Sequence, residues 1–320
     1  MKKIGLGLGL YLVFSMAVMG TARAAKYTAE SAADVSTQMA LTEVELPTRH
    51  HWSPWSVSWF NWATQSMSDT TEGVGRLTSY NYLSINYRLN GATLSVRPEF
   101  YVNGAGRDYD KYGNMGIVDS EFSTGNLYFQ YSKYNLALLP GGIGMTGAVR
   151  YYLPTSETDK NKKALGQIRG KFYFNRPWGR GWNSTLMMEP RYYMYSERGY
   201  IKDKGGYKSL RTNKWGQLKY YFEQSYLINA HYGFSAQTGM NHEWYYSARS
   251  NDYGSRPNNI REHWENAFYF LFNMDGVMMK AGLQQDRDIR TPNAPYNSGE
   301  RFSLFNPKET SYSIMTYVRM

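Results

Sequence analysis

The sequence predicts an all-β chain, an antiparallel up-and-down transmembrane β-barrel of about twelve strands with short turns at one end and long loops at the other. Three observations predict it. Apolar and polar residues alternate with period two through segment after segment, the pattern of strands with one apolar face. Tight turns alternate with long polar connections along the chain. Finally, 17% of the residues are aromatic, with 30 Tyr and 9 Trp, although the mean hydropathy is only -0.60. A polar average with that much Tyr and Trp suits a wet lumen bounded by interfacial aromatic girdles.

The elements follow in chain order. Lys2 and Lys3 precede an apolar run from Ile4 to Val18, and small residues follow, ending in Ala22-Arg23-Ala24. Basic region, short apolar region and small-x-small site are the order of a secretory signal peptide, expected over residues 1–24 and removed after Ala24. Its loss takes Lys2, Lys3 and Arg23, lowering the formal charge from +10 to +7. No other segment has the roughly 20 continuous apolar residues of a membrane helix. The absence of cysteine removes disulfide frameworks and thiolate metal sites. Residues 25–51 are small and polar with little periodicity, and read as a periplasmic N-terminal extension. The barrel is expected over 52–320.

Strand character is clearest around Asn90-Gly91. Leu83, Ile85, Tyr87 and Leu89 alternate with Tyr82, Ser84, Asn86 and Arg88. Beyond the turn, Leu94, Val96, Pro98 and Phe100 alternate with Ser95, Arg97, Glu99 and Tyr101. Asn-Gly between two such runs is a type I′ hairpin signal, because both central residues need positive φ. The pattern recurs through Leu127–Tyr131, Met145–Leu153, Ile168–Phe174, Leu186–Met194, Leu218–Phe222, Phe234–Met240, Trp264–Phe272, Met279–Leu283 and Tyr312–Met320. Tight turns fall at 90–91, 140–142, 177–181, 229–230 and 275–276. Long polar connections fall at 66–75, 103–124, 155–166, 196–214, 247–262 and 286–309. Short and long in strict alternation put both termini at the short-turn, periplasmic end. A soluble β-sandwich also alternates, but does not call for an apolar outer face on nearly every strand behind a signal peptide.

Residues 52–320 therefore resemble bacterial outer-membrane β-barrel proteins of the porin-like class. The resemblance rests on alternation, turn spacing and the last strand, where Tyr312, Ile314, Val318 and Met320 keep the alternation. Such proteins typically end on an aromatic residue recognised by the insertion machinery, and here Met320 stands in its place. The resemblance implies the cell outer membrane as location. Its implied partners are outer-membrane lipid, lipopolysaccharide, the barrel-insertion machinery and small polar solutes.

Alternation also sorts the side chains. The lumen face is expected to carry Arg88, Arg97, Arg150, Arg169, Lys171, Arg191, Lys219, Lys280 and Arg319, against Glu99, Glu189, Glu223 and Glu265. A basic lining favours anions, which makes a passive channel for small polar or anionic solutes the leading function. Arg97-Pro98-Glu99 on the third strand mirrors Glu189-Pro190-Arg191 on the seventh at a similar height. Arg97 is expected to meet Glu189 across the lumen, and Glu99 to meet Arg191, forming a charged constriction; pairing within each strand is the alternative. Proline cannot donate a ladder hydrogen bond, so β-bulges are expected near Pro98 and Pro190. Trp178 and Trp182 at the short-turn end, with Trp215, Trp244 and Trp264 at the long-loop end, are expected as membrane girdle residues.

Other chemistries have weaker patterns. The charges are scattered rather than clustered, so nucleic acid is not an expected partner. There is no cofactor motif and no metal-ligand spacing. Asp108, Asp110 and Asp119 share one loop but lack the EF-hand order. A surface enzyme would need Ser near a His base and an orienting group, and none of the five histidines (His50, His51, His231, His242 and His263) has a compact His-x-Ser arrangement. His242 beside Glu243 and His263 beside Glu262 mark the external rim, either as solvated pairs or as part of a barrel enzyme's site. A non-conducting structural or adhesion barrel is the remaining alternative.

Overall fold

The computed structural model describes residues 53–109, 115–204, 207–247, 259–290 and 305–320. The expected signal peptide and N-terminal extension lie outside them. The first half comprises β1 (Trp55–Ser66), helix α1 (Met67–Thr71), β2 (Thr78–Leu89), β3 (Ala92–Asn103), β4 (Gly106–Tyr109), β5 (Met115–Val118), β6 (Glu121–Leu139), β7 (Ile143–Leu153), helix α2 (Glu157–Asn161), β8 (Ala164–Gly179) and β9 (Trp182–Tyr195). The second comprises β10 (Gly199–Lys204), β11 (Tyr207–Thr212), β12 (Lys214–Leu227), β13 (Tyr232–Tyr245), β14 (Ile260–Met274), β15 (Val277–Arg290) and β16 (Thr310–Arg319). Twelve of these strands form one closed antiparallel barrel, while β4–β5 and β10–β11 make two separate hairpins. Closure is by β1 on β16, with Phe60 opposite Tyr317 and Trp62 opposite Met315. Closing the sheet leaves no unpaired edge, which a wall inside lipid requires.

The tight turns form where glycine allows them. Gly91 and Gly276 sit at φ +72° and +73° behind Asn90 and Asp275, the left-handed conformation that L side chains rarely adopt. At the β8–β9 turn Arg180 and Gly181 are both left-handed. A side chain at Gly181 would also collide with the carbonyl oxygen of Leu227 on β12. The 229–230 turn has no glycine; Asn229 Oδ1 instead accepts the backbone N–H of His231 at 2.8 Å and of Tyr232 at 2.9 Å.

The long connections are more structured than expected. The connections at 103–124 and 196–214 carry the hairpins β4–β5 and β10–β11, and β6 already begins at Glu121 while β15 runs to Arg290. Strand that projects beyond the bilayer has no need of an apolar outer face, so its sequence reads as loop although the ladder continues.

The two prolines behave differently. Between Pro98 and Phe100 the β3–β6 register shifts, giving the expected bulge. At Pro190 there is no register shift, contrary to expectation: β8–β9 keeps its register from Arg169↔Arg191 to Phe172↔Met188. The reason is the facing residue, Gly170, which leaves room for the proline ring. The missing N–H is absorbed by a short gap in the pairing rather than by an extra residue.

The wall is apolar outside and charged inside, the inverse of a water-soluble domain. Ile85, Leu94, Val96, Phe129, Val149, Ile168, Phe222 and Phe270 are exposed on the outer surface. An apolar belt of that extent is stable against lipid rather than water. Inside, Phe60, Trp62, Tyr80, Tyr82, Ala267, Tyr269, Met315 and Tyr317 form one buried cluster along β1, β2, β14 and β16. A second, smaller cluster joins Tyr173, Met187 and Tyr221 on β8, β9 and β12. Among the described residues no helix is long and apolar enough to cross a membrane; the strands are the crossing elements.

Candidate solute pathway

Successive strand residues alternate sides, and the inner face falls on odd positions in β3, β8 and β9 and on even positions in β6 and β7. This brings Arg97, Glu99, Arg150, Arg169, Lys171, Glu189 and Arg191 into one buried belt. Arg88, expected with them, lies exposed beside the Asn90-Gly91 turn, away from the belt.

The organising acid is Glu189, with no exposed surface. Lys171 Nζ lies 2.7 Å and Arg169 Nε 3.5 Å from it, and Arg191, two residues along the same strand, also bonds to it. The expected cross-lumen pairs are not formed. Glu99 instead accepts the Tyr80 hydroxyl at 2.6 Å and the backbone N–H of Asn126 at 3.2 Å. The Arg97 Nε–H donates to Ser84 Oγ at 2.8 Å. Tyrosines occupy the space that the bridging side chains would have to cross. The Arg97 guanidinium lies 5.0 Å from the Tyr82 ring centre and 5.9 Å from that of Tyr128. Arg150 lies 5.0 Å over Tyr128, and Arg169 lies 4.3 Å over Tyr152. Tyr128 and Tyr152 stack with centroids 4.5 Å apart. Guanidinium on an aromatic face in a desolvated setting gains about 2 kcal/mol or more, enough to hold cations that outnumber their acids.

The wall from β12 to β15 continues from β9, with Lys219 across from Glu189 in the ladder. Lys219 bridges Glu265 at 2.6 Å, and Lys280 bridges Glu223 at 2.9 Å. All four side chains were legible as luminal from the alternation.

Above the belt, toward the long-loop end, is a cluster that sequence reading missed. His263 Nδ1 lies 2.8 Å from Asp288 and 3.3 Å from Asp286, while Nε2 faces Glu243 at 3.8 Å. Arg261 donates Nε–H and Nη2–H to Asp288 at 3.2 and 3.1 Å, and Lys214 bridges Glu243 at 2.8 Å. The chain-neighbour pairs His242-Glu243 and His263-Glu262 are separated, because adjacent strand residues point to opposite faces. His242 pairs outside the barrel with Glu262 at 3.0 Å. Both nitrogens of His263 face carboxylates rather than a hydroxyl nucleophile. The signal was available for His263, which the parity of Glu265 also places inside, but Arg261, Asp286 and Asp288 fall in the connections 247–262 and 286–309. Among the described residues no group of three or more His, Cys, Asp or Glu is arranged to hold a metal ion. Asp110 and the side chain of Asp108 lie outside the described residues, and Asp119 is exposed.

This upper cluster borders a vestibule of about 570 Å³ whose floor includes Glu99, Tyr152 and Arg169. Just beneath, Arg150, Lys171, Glu189, Tyr82, Tyr128 and Met187 have 0% exposure. A side chain with no exposed surface has no water-wide gap beside it, so the lumen is filled along β2 and β6 to β9 at this level.

The tryptophans fall at both ends of the barrel. Trp178 and Trp182 are exposed at the short-turn end, and Trp215, Trp244 and Trp264 lie at the long-loop ends of β12, β13 and β14. Trp178 donates its N–H to Ser184 Oγ at 2.6 Å and Trp264 to Thr238 Oγ1 at 3.1 Å.

The architecture has counterparts among solved structures. It is similar to the COG4313 outer membrane channel from Pseudomonas putida F1, with a TM-score of 0.50 and 10% identity over 86% of this chain and 98% of that one. The fold is that of an outer-membrane β-barrel. More distant is LpxR from Salmonella typhimurium (TM-score 0.37, 6% identity, 82% of this chain and 99% of that one). The P. putida toluene transporter TodX is comparably distant (TM-score 0.35, 8% identity, 84% and 89%). No protein-family model matches the chain, and no curated protein matches it.

Proposed function

We propose that this barrel is an outer-membrane channel for small polar solutes, entered through the vestibule and closed at rest by the charged belt. The observation that carries the reading is the belt itself. Seven ionisable side chains, Arg97, Glu99, Arg150, Arg169, Lys171, Glu189 and Arg191, are buried within a membrane wall. Ionisable groups at membrane depth are costly and mark solute or ion paths; a barrel that served only as a wall or scaffold gains more from an apolar filling. The long-loop end, and with it the vestibule, faces the cell exterior by the usual orientation of such barrels, and the apolar belt meets outer-membrane lipid and lipopolysaccharide. Arg97, Arg150, Arg169, Lys171 and Arg191 outnumber Glu99 and Glu189 in the belt, so the open path favours anions over cations.

Planar-bilayer recording in potassium chloride tests this. Wild-type barrels are expected to open rarely, with an anion-selective reversal potential, and Glu189→Gln is expected to open more often because it releases Lys171, Arg169 and Arg191 from their shared acid. A cation-selective reversal potential would overturn the anion preference. Silence from both proteins, each shown to be folded by its heat-modifiable gel mobility, would overturn the channel.

A further inference from the structure

Charge decides which small ions pass the belt, but the vestibule above it is built differently. Tyr101, Tyr152, Tyr193, Tyr195, Tyr200 and Tyr245 all line it, from β3, β7, β9, β10 and β13. Tyr193 and Tyr195 stand two residues apart on one face of β9 with rings 10° from parallel and centroids 6.4 Å apart. Tyr193 is buried, with Lys214 Nζ 4.7 Å from its ring centre, which leaves Tyr195 as the more open ring of the two. Between the rings the lining is rich in short hydroxyl and amide groups, among them Ser123, Thr124, Asn126, Gln167 and Asn213.

The charges that reach this space are largely answered locally. Lys214 bridges Glu243, Arg261 holds Asp288, Tyr80 donates to Glu99, and Asn126 donates to Asp159 at 2.6 Å. Acids and bases thus offset one another around the vestibule, in contrast to the cation surplus beneath. A cavity of about 570 Å³ lies within the roughly 300–1,000 Å³ of small-molecule sites. Aromatic faces bind apolar ring faces, and hydroxyl and amide groups bind hydroxyls; a sugar ring presents both, with no charge to satisfy.

We propose that the vestibule is a binding site for an uncharged carbohydrate of one or two rings, stacked on Tyr195. The inference rests on reading the vestibule as the solute entrance, but its test does not depend on conduction. Purified barrel in detergent is titrated calorimetrically with glucose, maltose and sucrose, and separately with uridine and sodium phosphate. At least one sugar is expected to bind saturably. Tyr195→Ser should weaken that sugar by about tenfold, the scale of losing one stacked ring, while Tyr195→Trp should restore binding and show that the ring, rather than local folding, is what matters. Saturable binding of uridine or phosphate with no sugar bound would overturn the assignment. So would the absence of sugar binding by folded wild-type barrel, or sugar binding unchanged in Tyr195→Ser. Sugar binding by a barrel silent in bilayers would leave this site standing and remove the channel; conduction without sugar binding would do the reverse.

Discussion

The two walls of the barrel interior face the same difficulty, charge buried at membrane depth, and meet it in opposite ways. On the wall from β3 to β9, three cations converge on Glu189 and the remaining arginines lie on tyrosine faces. On the wall from β12 to β15, Lys219 bridges Glu265 and Lys280 bridges Glu223, and β14, β16, β1 and β2 supply an aromatic cluster. The second arrangement is a set of local repairs. The first is a shared network, in which one acid sets the position of cations drawn from two strands. A network of that kind concentrates the consequences of change on its centre, and a set of pairs distributes them.

The largest expected effect follows from that difference. Glu189→Gln leaves Arg169, Lys171 and Arg191 buried without their common acid, a loss of about 3–5 kcal/mol. Glu223→Gln strands one ammonium rather than three cations, and its loss is expected at the lower end of that range. Urea unfolding of barrels refolded into lipid vesicles measures both, and equal losses would break the distinction between the walls. The cations should give the reverse order. Lys171→Met leaves Glu189 with Arg169 and Arg191, whereas Lys280→Met removes the ammonium bridged to Glu223. Lys280→Met is therefore expected to be the more damaging by about 2 kcal/mol, read in the same unfolding experiment.

Backbone spacing also differs sharply from one glycine to another. Gly282 on β15 lies opposite Tyr269, and a side chain there would overlap the carbonyl oxygen of Phe268. Gly144 on β7 has only the Asn175 carbonyl oxygen, 3.9 Å from where its Cβ would be. Gly282→Ala is expected to cost about 1–3 kcal/mol through overpacking, and Gly144→Ala to stay within roughly 0.5 kcal/mol of wild type. Thermal unfolding followed by loss of heat-modifiable mobility compares the two.

The sequence made the wall legible because alternation is a local property. Arg97, Glu99, Lys219 and Glu265 each carry their orientation in their neighbours, and Asn90-Gly91 and Asp275-Gly276 announce their own geometry. Partnership across the lumen is not local. That Glu99 turns to Tyr80 and Asn126, and Arg97 to Ser84, depends on register between strands and on tyrosines filling the space between. The tyrosine count was read chiefly as a sign of girdles, yet Tyr82, Tyr128, Tyr152, Tyr173, Tyr221 and Tyr269 are interior. Tyr divides between inside and outside, because a phenol hydroxyl can be satisfied inside a polar lumen while its ring packs against guanidinium groups. The His263 cluster was hidden for a different reason: strand that extends past the bilayer loses the apolar face by which it is recognised.

The smallest expected effects are on the outer surface, where the comparison turns from wall against wall to inside against outside. Trp178 donates to Ser184 at 2.6 Å and has the Arg176 guanidinium 3.8 Å from its ring centre. Trp215 has as its ring neighbour Trp244, with centroids 6.1 Å apart. Trp178→Phe keeps an apolar ring at the interface but gives up the N–H bond, an expected loss of about 0.5–1.5 kcal/mol. Trp215→Phe keeps a ring of the same kind against Trp244 and should lose less. Both should fall below Glu189→Gln in the same vesicle unfolding series, because an interfacial site leaves a weakened contact open to water and headgroups, whereas the filled part of the lumen offers a displaced charge neither. A girdle substitution that destabilised the barrel as much as Glu189→Gln would mean that stability resides in the lipid-facing surface rather than in the charged belt.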